Sequence, residues 1–160
     1  MTPNRHGTAV VELPNDLDVL ITREFDAPIA LVFEVLTKPE HVSKWFAPLG
    51  CEMTKCSMDL RVGGNYHQVF VTVDGTECSF RGTYLEIEPP TRTVETWRFE
   101  GWPGVEAVES TELHEDHGVT TLTTRLAFRD QAGRDHMTRF DGQQDSFDQM
   151  EEILRSQVGG

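Results

Sequence analysis

The C-terminal stretch, residues 134–157, constrains the fold more than any other part of this sequence. Its apolar residues recur at helical spacing, and its charged residues fall on the opposite face. The apolar stripe consists of Met137, Phe140, Phe147, Met150 and Leu154, with a gap at Gly142, Gln143 and Gln144. We therefore predict one long amphipathic helix, and the rest of the chain must cover its apolar face.

The remainder of the chain has mainly the pattern of strands. A first strand is predicted at residues 18–25, followed by two short helices at 29–36 and 40–45. Asp26 is the predicted N-cap of the first helix, with Pro28 in its first turn. Six further strands at hairpin spacing are predicted at 51–58, 65–73, 76–87, 92–99, 107–115 and 119–128. The predicted fold class is α+β, with a curved antiparallel sheet of seven strands around the last helix.

Length and charge exclude several classes of protein. The 160 residues predict a single domain over residues 18–158, preceded by a flexible leader over 1–17. No apolar run is long enough to span a membrane, and the leader lacks the apolar core of a signal peptide, so we expect a cytoplasmic protein. The net charge of −13 argues against nucleic acid as a partner. Three cysteines without CxxC spacing are expected to be free thiols.

Large apolar residues on the predicted strands and the last helix are candidates either for a solid core or for the wall of a cavity, since both have the same sequence pattern. The candidates are Trp45, Phe46, Tyr66, Phe70, Phe80, Tyr84, Trp97, Phe99, Leu122, Leu126, Phe140, Gln143, Phe147 and Met150. Polar residues within these stripes are more informative, because a buried polar group needs a partner. They are Gln68, Glu95, Arg98, Gln143 and Gln144.

Motifs for metal or nucleophilic chemistry are not found in this sequence. Its six histidines form no HxH or HExxH pattern, and there is no GxSxG motif or glycine-rich phosphate loop. We predict no metal and no cofactor. Acid–base chemistry remains open, with candidates Tyr66, Tyr84, His67, His136 and Glu95 if these are desolvated.

Several short motifs together resemble one family. They are Phe25-Asp26-Ala27-Pro28, Trp45-Phe46 with Pro48, residues 59–64 (DLRVGG), residues 80–92 (FRGTYLEIEPPTR), and Gly142 ahead of residues 147–154 (FDQMEEIL). In this order they resemble the bacterial stand-alone branch of the Hsp90-ATPase-activator-homologue (AHSA1-like) family, within the START-like (SRPBCC, Bet v 1-like) superfamily. Many relatives have Trp where this chain has Gln143.

The resemblance implies the helix-grip fold, a seven-stranded sheet wrapped around a long C-terminal helix, often with a hydrophobic cavity between them. It implies a small apolar ligand such as a lipid, held by the residues named above, without membrane insertion. Two alternatives stay open: a co-chaperone acting on Hsp90, which we expect not to bind, and a cyclase or dehydratase, which we consider less favoured than a binding protein. A homodimer through a strand edge or the last helix also stays open. A cavity would be expected to open near Trp45, Phe46 and the loop 101–104.

Overall fold

The computed structural model describes residues 4–102, 104–139 and 142–158 of the chain. Eight antiparallel strands form one sheet in the order β1-β2-β8-β7-β6-β5-β4-β3. The strands are β1 Val10–Glu12, β2 Asp18–Phe25, β3 Glu52–Met58, β4 Asn65–Val71, β5 Glu77–Glu88, β6 Arg92–Phe99, β7 Glu106–Asp116 and β8 Val119–Phe128. The helices are α1 Ile29–Thr37, α2 Pro39–Trp45, α3 Gln131–Met137 and α4 Gly142–Val158. This α+β architecture is the predicted helix-grip fold.

One strand lies outside the predicted seven. Residues 10–12 form β1 within the predicted leader, where Val10 pairs with Thr22 and Glu12 pairs with Leu20 of β2. All three residues of β1 are solvent-exposed. A strand so short and so exposed has no alternating pattern that a sequence could reveal.

The predicted N-cap of α1 is wrong. The cap position is Pro28, which makes no side-chain capping bond. The backbone N–H of Ile29 instead donates to Glu115 Oε1 of β7 at 2.7 Å. Asp26 accepts two hydrogen bonds of 3.0 Å from the Arg5 guanidinium. A tertiary carboxylate therefore takes the role that local sequence assigned to Asp26.

The prediction of one unbroken C-terminal helix is also wrong. Residues 131–137 form α3, which Asp130 caps by accepting from the Gly133 N–H at 2.8 Å. The second helix, α4, begins at Gly142, where a Cβ would lie 2.8 Å from Pro48 Cγ. Thr138 and Arg139 form a turn after α3, so the helix is interrupted ahead of the gap in the apolar stripe, and Gly142 allows α4 to begin against Pro48.

The apolar face of α4 packs into the concave side of the sheet. Phe147, Met150 and Leu154 are buried, as the helical period predicted. On its flank, Gln149 Nε2 donates to Ala47 O at 2.7 Å, and Ser146 Oγ donates to Phe46 O at 2.8 Å. These bonds fix α4 against the segment that follows α2.

A buried ion pair ties α4 to β2. Arg23 is 1% exposed, and its Nη2 lies 2.9 Å from Glu151 Oε1 and 3.1 Å from Asp148 Oδ1. The guanidinium also lies 4.8 Å from the centre of the Phe25 ring. Two carboxylates and an aromatic face compensate for the desolvation of this charge.

Candidate ligand-binding cavity

A cavity of about 910 Å³ lies between the concave face of the sheet and the beginning of α4. Strand alternation directs Tyr66, Gln68 and Phe70 of β4 into it, together with Phe80 and Tyr84 of β5. On the helix side the cavity is lined by residues 142–147 of α4, whereas Met150 and Leu154 are buried in the core.

Most of the predicted wall residues line this cavity. They are Trp45, Phe46, Tyr66, Gln68, Phe70, Phe80, Tyr84, Glu95, Trp97, Phe99, Leu122, Leu126, Gln143 and Phe147. Met150 is fully buried in the core and does not reach the cavity. Phe140 lies outside the described residues. No described residue of the loop 101–104 lines the cavity, and Trp102 stacks on His136 with ring centres 4.4 Å apart.

Aromatic rings form the apolar end of the cavity. Phe80 lies at its centre, with ring centres 5.4 Å from Phe46, 5.8 Å from Phe70, 5.5 Å from Trp97 and 5.1 Å from Phe99. Such clusters of rings at offset and tilted angles offer an apolar guest a large contact area.

A row of polar side chains crosses the sheet at another part of the wall. Tyr84 of β5 pairs with Glu95 of β6, which pairs with Glu109 of β7, and all three side chains line the cavity. Thr93 and Thr124 lie beside this row on the same wall. The Oε1 atom of Glu95 is buried and has no hydrogen-bond partner among the described residues.

The two glutamates form an unusual carboxyl pair. Burial raises the pKa of Glu95 well above its ordinary value, and the neighbouring Glu109 charge raises it further, against a smaller lowering by Thr93. Burial likewise raises the pKa of Glu109, to about 7. Two adjacent carboxyls in an apolar wall cannot both ionise without a counter-charge, so the pair retains a proton near neutral pH.

The tyrosines beside this pair have different hydrogen bonds. Tyr66 Oη donates to Thr96 O at 2.7 Å, and the two tyrosine rings lie 5.5 Å apart. The close approach of the strands requires Gly82, where a Cβ would lie 1.8 Å from Thr96 O. The Tyr84 hydroxyl makes no hydrogen bond within the described residues. Burial raises the pKa of both phenols, so both stay protonated at neutral pH.

Other predicted polar candidates face away from the cavity. Arg98 points outward and pairs with Glu106 at 2.8 Å. His67 also lies on the outer face, where its Nε2 is 2.8 Å from Ser79 Oγ. Of the acid–base candidates, Tyr66, Tyr84 and Glu95 line the cavity, whereas His67 and His136 do not.

Sequence reasoning missed Glu109 and the N-terminal part of the wall. Glu109 alternates with Ala107, Thr111 and Leu113, which are buried, so the period of two along β7 could have identified it as inward-facing. Val11 and Leu13 of the predicted leader also line the cavity. No local signal marks these two residues, because their place depends on how the leader crosses α4.

The rim of the cavity is formed by the beginning of α4 and the N-terminal segment. Gln144 accepts from the Ala9 N–H at 3.2 Å and donates to Ala9 O at 2.8 Å. Asp145 accepts from the Leu49 N–H at 3.2 Å. Gln143 lies on the cavity wall.

Two other clusters of polar side chains lie outside the cavity, and ion pairs account for their charged groups. His6 Nε2 lies 2.8 Å from Glu152 Oε2 and 3.5 Å from Glu151 Oε2, a spacing that a metal ion could bridge. Glu151, however, already pairs with the buried Arg23. A second hollow of about 750 Å³ lies on the outer side of the sheet. Its arginines, among them Arg81, are paired with surface glutamates.

These features define the class of protein as a helix-grip domain with a largely apolar cavity. The chain belongs to the family of Activator of Hsp90 ATPase homolog 1-like proteins, whose model matches residues 26–155. The resemblance drawn from the sequence motifs is thereby confirmed. A comparison with curated proteins gives no match. Within the described parts of the chain, no helix is both long and apolar enough to cross a membrane.

Solved bacterial structures have the same fold. A protein from Nitrosomonas europaea is 25% identical, with a TM-score of 0.79 over 92% of this chain and 100% of that one. A protein from Chromobacterium violaceum is also 25% identical, with a TM-score of 0.76 over 89% and 98% of the two chains. A protein from Rhodobacter sphaeroides, 20% identical, has a TM-score of 0.85 over 92% and 98%, which shows the fold alone.

Proposed function

We propose that this protein binds a small hydrophobic molecule in the cavity between the sheet and α4. The observation that carries the proposal is the volume of about 910 Å³ enclosed by aromatic and aliphatic side chains. Ordinary interiors are close-packed, and ligand pockets have volumes of roughly 300–1,000 Å³ with apolar walls and a few polar groups. We propose the cytoplasm as its compartment, since all three cysteines are free thiols.

The direct test is native mass spectrometry of the purified protein, followed by denaturing extraction to identify any guest. We expect one apolar small molecule per chain. A protein that is empty after gentle purification, and that binds no neutral apolar dye such as Nile red, would contradict the proposal.

A cavity-filling variant makes the test specific. Gln143→Trp places a large ring in the cavity wall, and we expect it to reduce ligand binding at least about tenfold while the protein stays folded. Gln157→Trp is the matched control, because it makes the same change at an exposed position of the same helix. Equal binding by both variants would show that the ligand lies elsewhere.

Acid–base catalysis in the same cavity is a second candidate, favoured by the carboxyl pair with raised pKa values beside Tyr84. Once a ligand is known, its chemical change with time can be followed by mass spectrometry. A catalyst predicts that Tyr84→Phe or Glu109→Gln stops turnover while binding is retained. If the ligand is recovered unchanged after prolonged incubation, catalysis is excluded and ligand binding is the remaining function.

A further inference from the structure

The carboxyl pair has an unsatisfied hydrogen-bonding need that points to the chemistry of the ligand. Glu95 and Glu109 are directly opposite each other on β6 and β7, and both line the cavity. The Oε1 atom of Glu95 is buried without a partner among the described residues. Buried polar atoms normally have a hydrogen-bond partner, and an ionised carboxylate can only accept, so a bound molecule that supplies a donor would complete the site once the pair ionises.

The charge of the cavity wall favours a positively charged ligand. Its acidic side chains are Glu95, Glu109 and, at the rim, Asp145, while no lysine, arginine or histidine is found among the described lining residues. The described part of the wall therefore supplies the pair with no counter-ion. A carboxylate or phosphate ligand would add like charge in a desolvated place, whereas a cation would offset the charge already there.

The remaining wall limits the cation to an organic one. Aromatic and aliphatic side chains make up most of the surface, and they leave room for a hydrocarbon body rather than for a hydrated ion. Tyr84 lies next to Glu95, and its ring and hydroxyl face the same space. An ammonium group beside two carboxyls and an aromatic ring would have both charge compensation and cation–π contact.

We propose that the ligand of this cavity is a lipophilic amine, bound with its protonated nitrogen at Glu95 and Glu109 and its apolar body against the aromatic end. This inference rests on the proposed function and names the chemical class of its ligand. The raised pKa values of the pair are consistent with it, because a bound ammonium would supply the missing counter-charge.

A matched series of ligands with the same chain tests the inference. Dodecylamine, dodecanol, dodecanoate and dodecyltrimethylammonium would each compete with Nile red at pH 8, below their aggregation concentrations. We expect dodecylamine to bind about tenfold or more tightly than dodecanol, and dodecanoate to bind most weakly. The trimethylammonium compound should be weaker than the amine, because it has no N–H group to donate to Glu95.

Variants that remove the charge of one glutamate test whether the preference for the amine over the alcohol depends on the carboxyl pair. Glu95→Gln and Glu109→Gln should each reduce the amine-to-alcohol preference to about threefold or less, while dodecanol and Nile red still bind. Glu112→Gln is the matched control: it lies on the same strand as Glu109, is exposed, and pairs with Arg92 on the surface. It should retain the preference of the unaltered protein.

A pH series on the unaltered protein gives the same test without a mutation. The titratable groups facing the cavity near the pair are Glu95 of β6, Glu109 of β7, Tyr66 of β4 and Tyr84 of β5, with Asp145 of α4 at the rim. The phenols stay neutral over this range. The amine-to-alcohol preference should therefore increase between about pH 5 and pH 8, as the pair ionises.

The outcomes separate the two proposals. The amine assignment is overturned if the protein binds the amine and the alcohol equally, or the amine and the trimethylammonium compound equally. It is also overturned if the preference for the amine survives both glutamate variants. Each of these results would leave the proposal of ligand binding intact. If neither Nile red nor any member of the series binds, both proposals fail.

Discussion

Glu95 and Glu109 lie directly opposite each other on adjacent strands, and both carboxyls face the interior cavity. Like charges opposite each other in a sheet are destabilising, and burial increases that cost. Burial is the main reason that the pKa of both residues is raised, and the pair lowers its cost by holding a proton. This arrangement reduces the stability of the fold as the pair ionises, and the lipophilic amine proposed above would offset that cost.

The carboxyl pair should make the protein less stable as the pH rises. A carboxyl whose pKa is higher in the folded than in the unfolded state contributes stability that is fully present below its unfolded value of 4.5 and lost through its folded value of about 7. We expect the free energy of unfolding, measured with urea, to fall by a few kcal/mol between those pH values. Glu109→Gln should flatten this dependence, and Glu112→Gln should not. A dependence unchanged in Glu109→Gln would mean that other groups cause it.

Loss of the buried Arg23 should destabilise the fold strongly. Arg23→Met leaves Glu151 buried beside an apolar side chain, and we expect the free energy of unfolding to fall by about 3–5 kcal/mol. Arg125→Met on β8 is the control, because Arg125 pairs with Asp18 at the surface and should contribute less than about 1 kcal/mol. Urea unfolding curves of the two variants would make the comparison. Equal losses would show that burial of the ion pair has no special role.

The two tyrosines of the cavity should respond differently to loss of their hydroxyl groups. Tyr66→Phe removes the donor to Thr96 O and is expected to cost about 1–3 kcal/mol in the free energy of unfolding. Tyr84→Phe should cost less than about 1 kcal/mol, since its hydroxyl faces the cavity and makes no hydrogen bond within the described residues. Thermal unfolding of both variants distinguishes them. A larger loss for Tyr84→Phe would contradict the assigned hydrogen bonds.

The N-terminal segment tests the prediction of a flexible leader. The amides of Arg5, Gly7 and Ala9 donate to side chains of α4. We expect these amides to exchange hydrogen with solvent more slowly than an unstructured chain, and Gln144→Ala to accelerate exchange at Ala9. Gln157→Ala is the control at an exposed position of α4. Exchange at the unstructured rate in the unaltered protein would support a flexible leader.

Short-range patterns predicted most of the elements well. The strands at Asp18–Phe25, Arg92–Phe99 and Val119–Phe128 begin and end where their patterns indicated. Along β6, Glu95 alternates with Trp97 and Phe99, and all three line the cavity. These features depend on two-residue periodicity and turn chemistry, which act over a few positions.

Features that depend on distant neighbours were predicted poorly. The cap of α1 comes from Glu115, which is 86 residues away along the chain. The last helix breaks where α4 approaches Pro48, and β1 forms only because β2 offers a free edge. Each of these depends on surfaces that meet only after the sheet has curved.

The sequence by itself determined the class of fold, because strand alternation and one amphipathic helical stripe admit few ways of burying their apolar faces. Only the tertiary structure decided whether those faces meet or leave a space. It leaves a cavity of about 910 Å³, because Met150 and Leu154 of α4 pack into the core and only residues 142–147 of that helix line the cavity. The tertiary structure also decided the pairing of Glu95 with Glu109, because strand register brings together residues that are far apart in sequence.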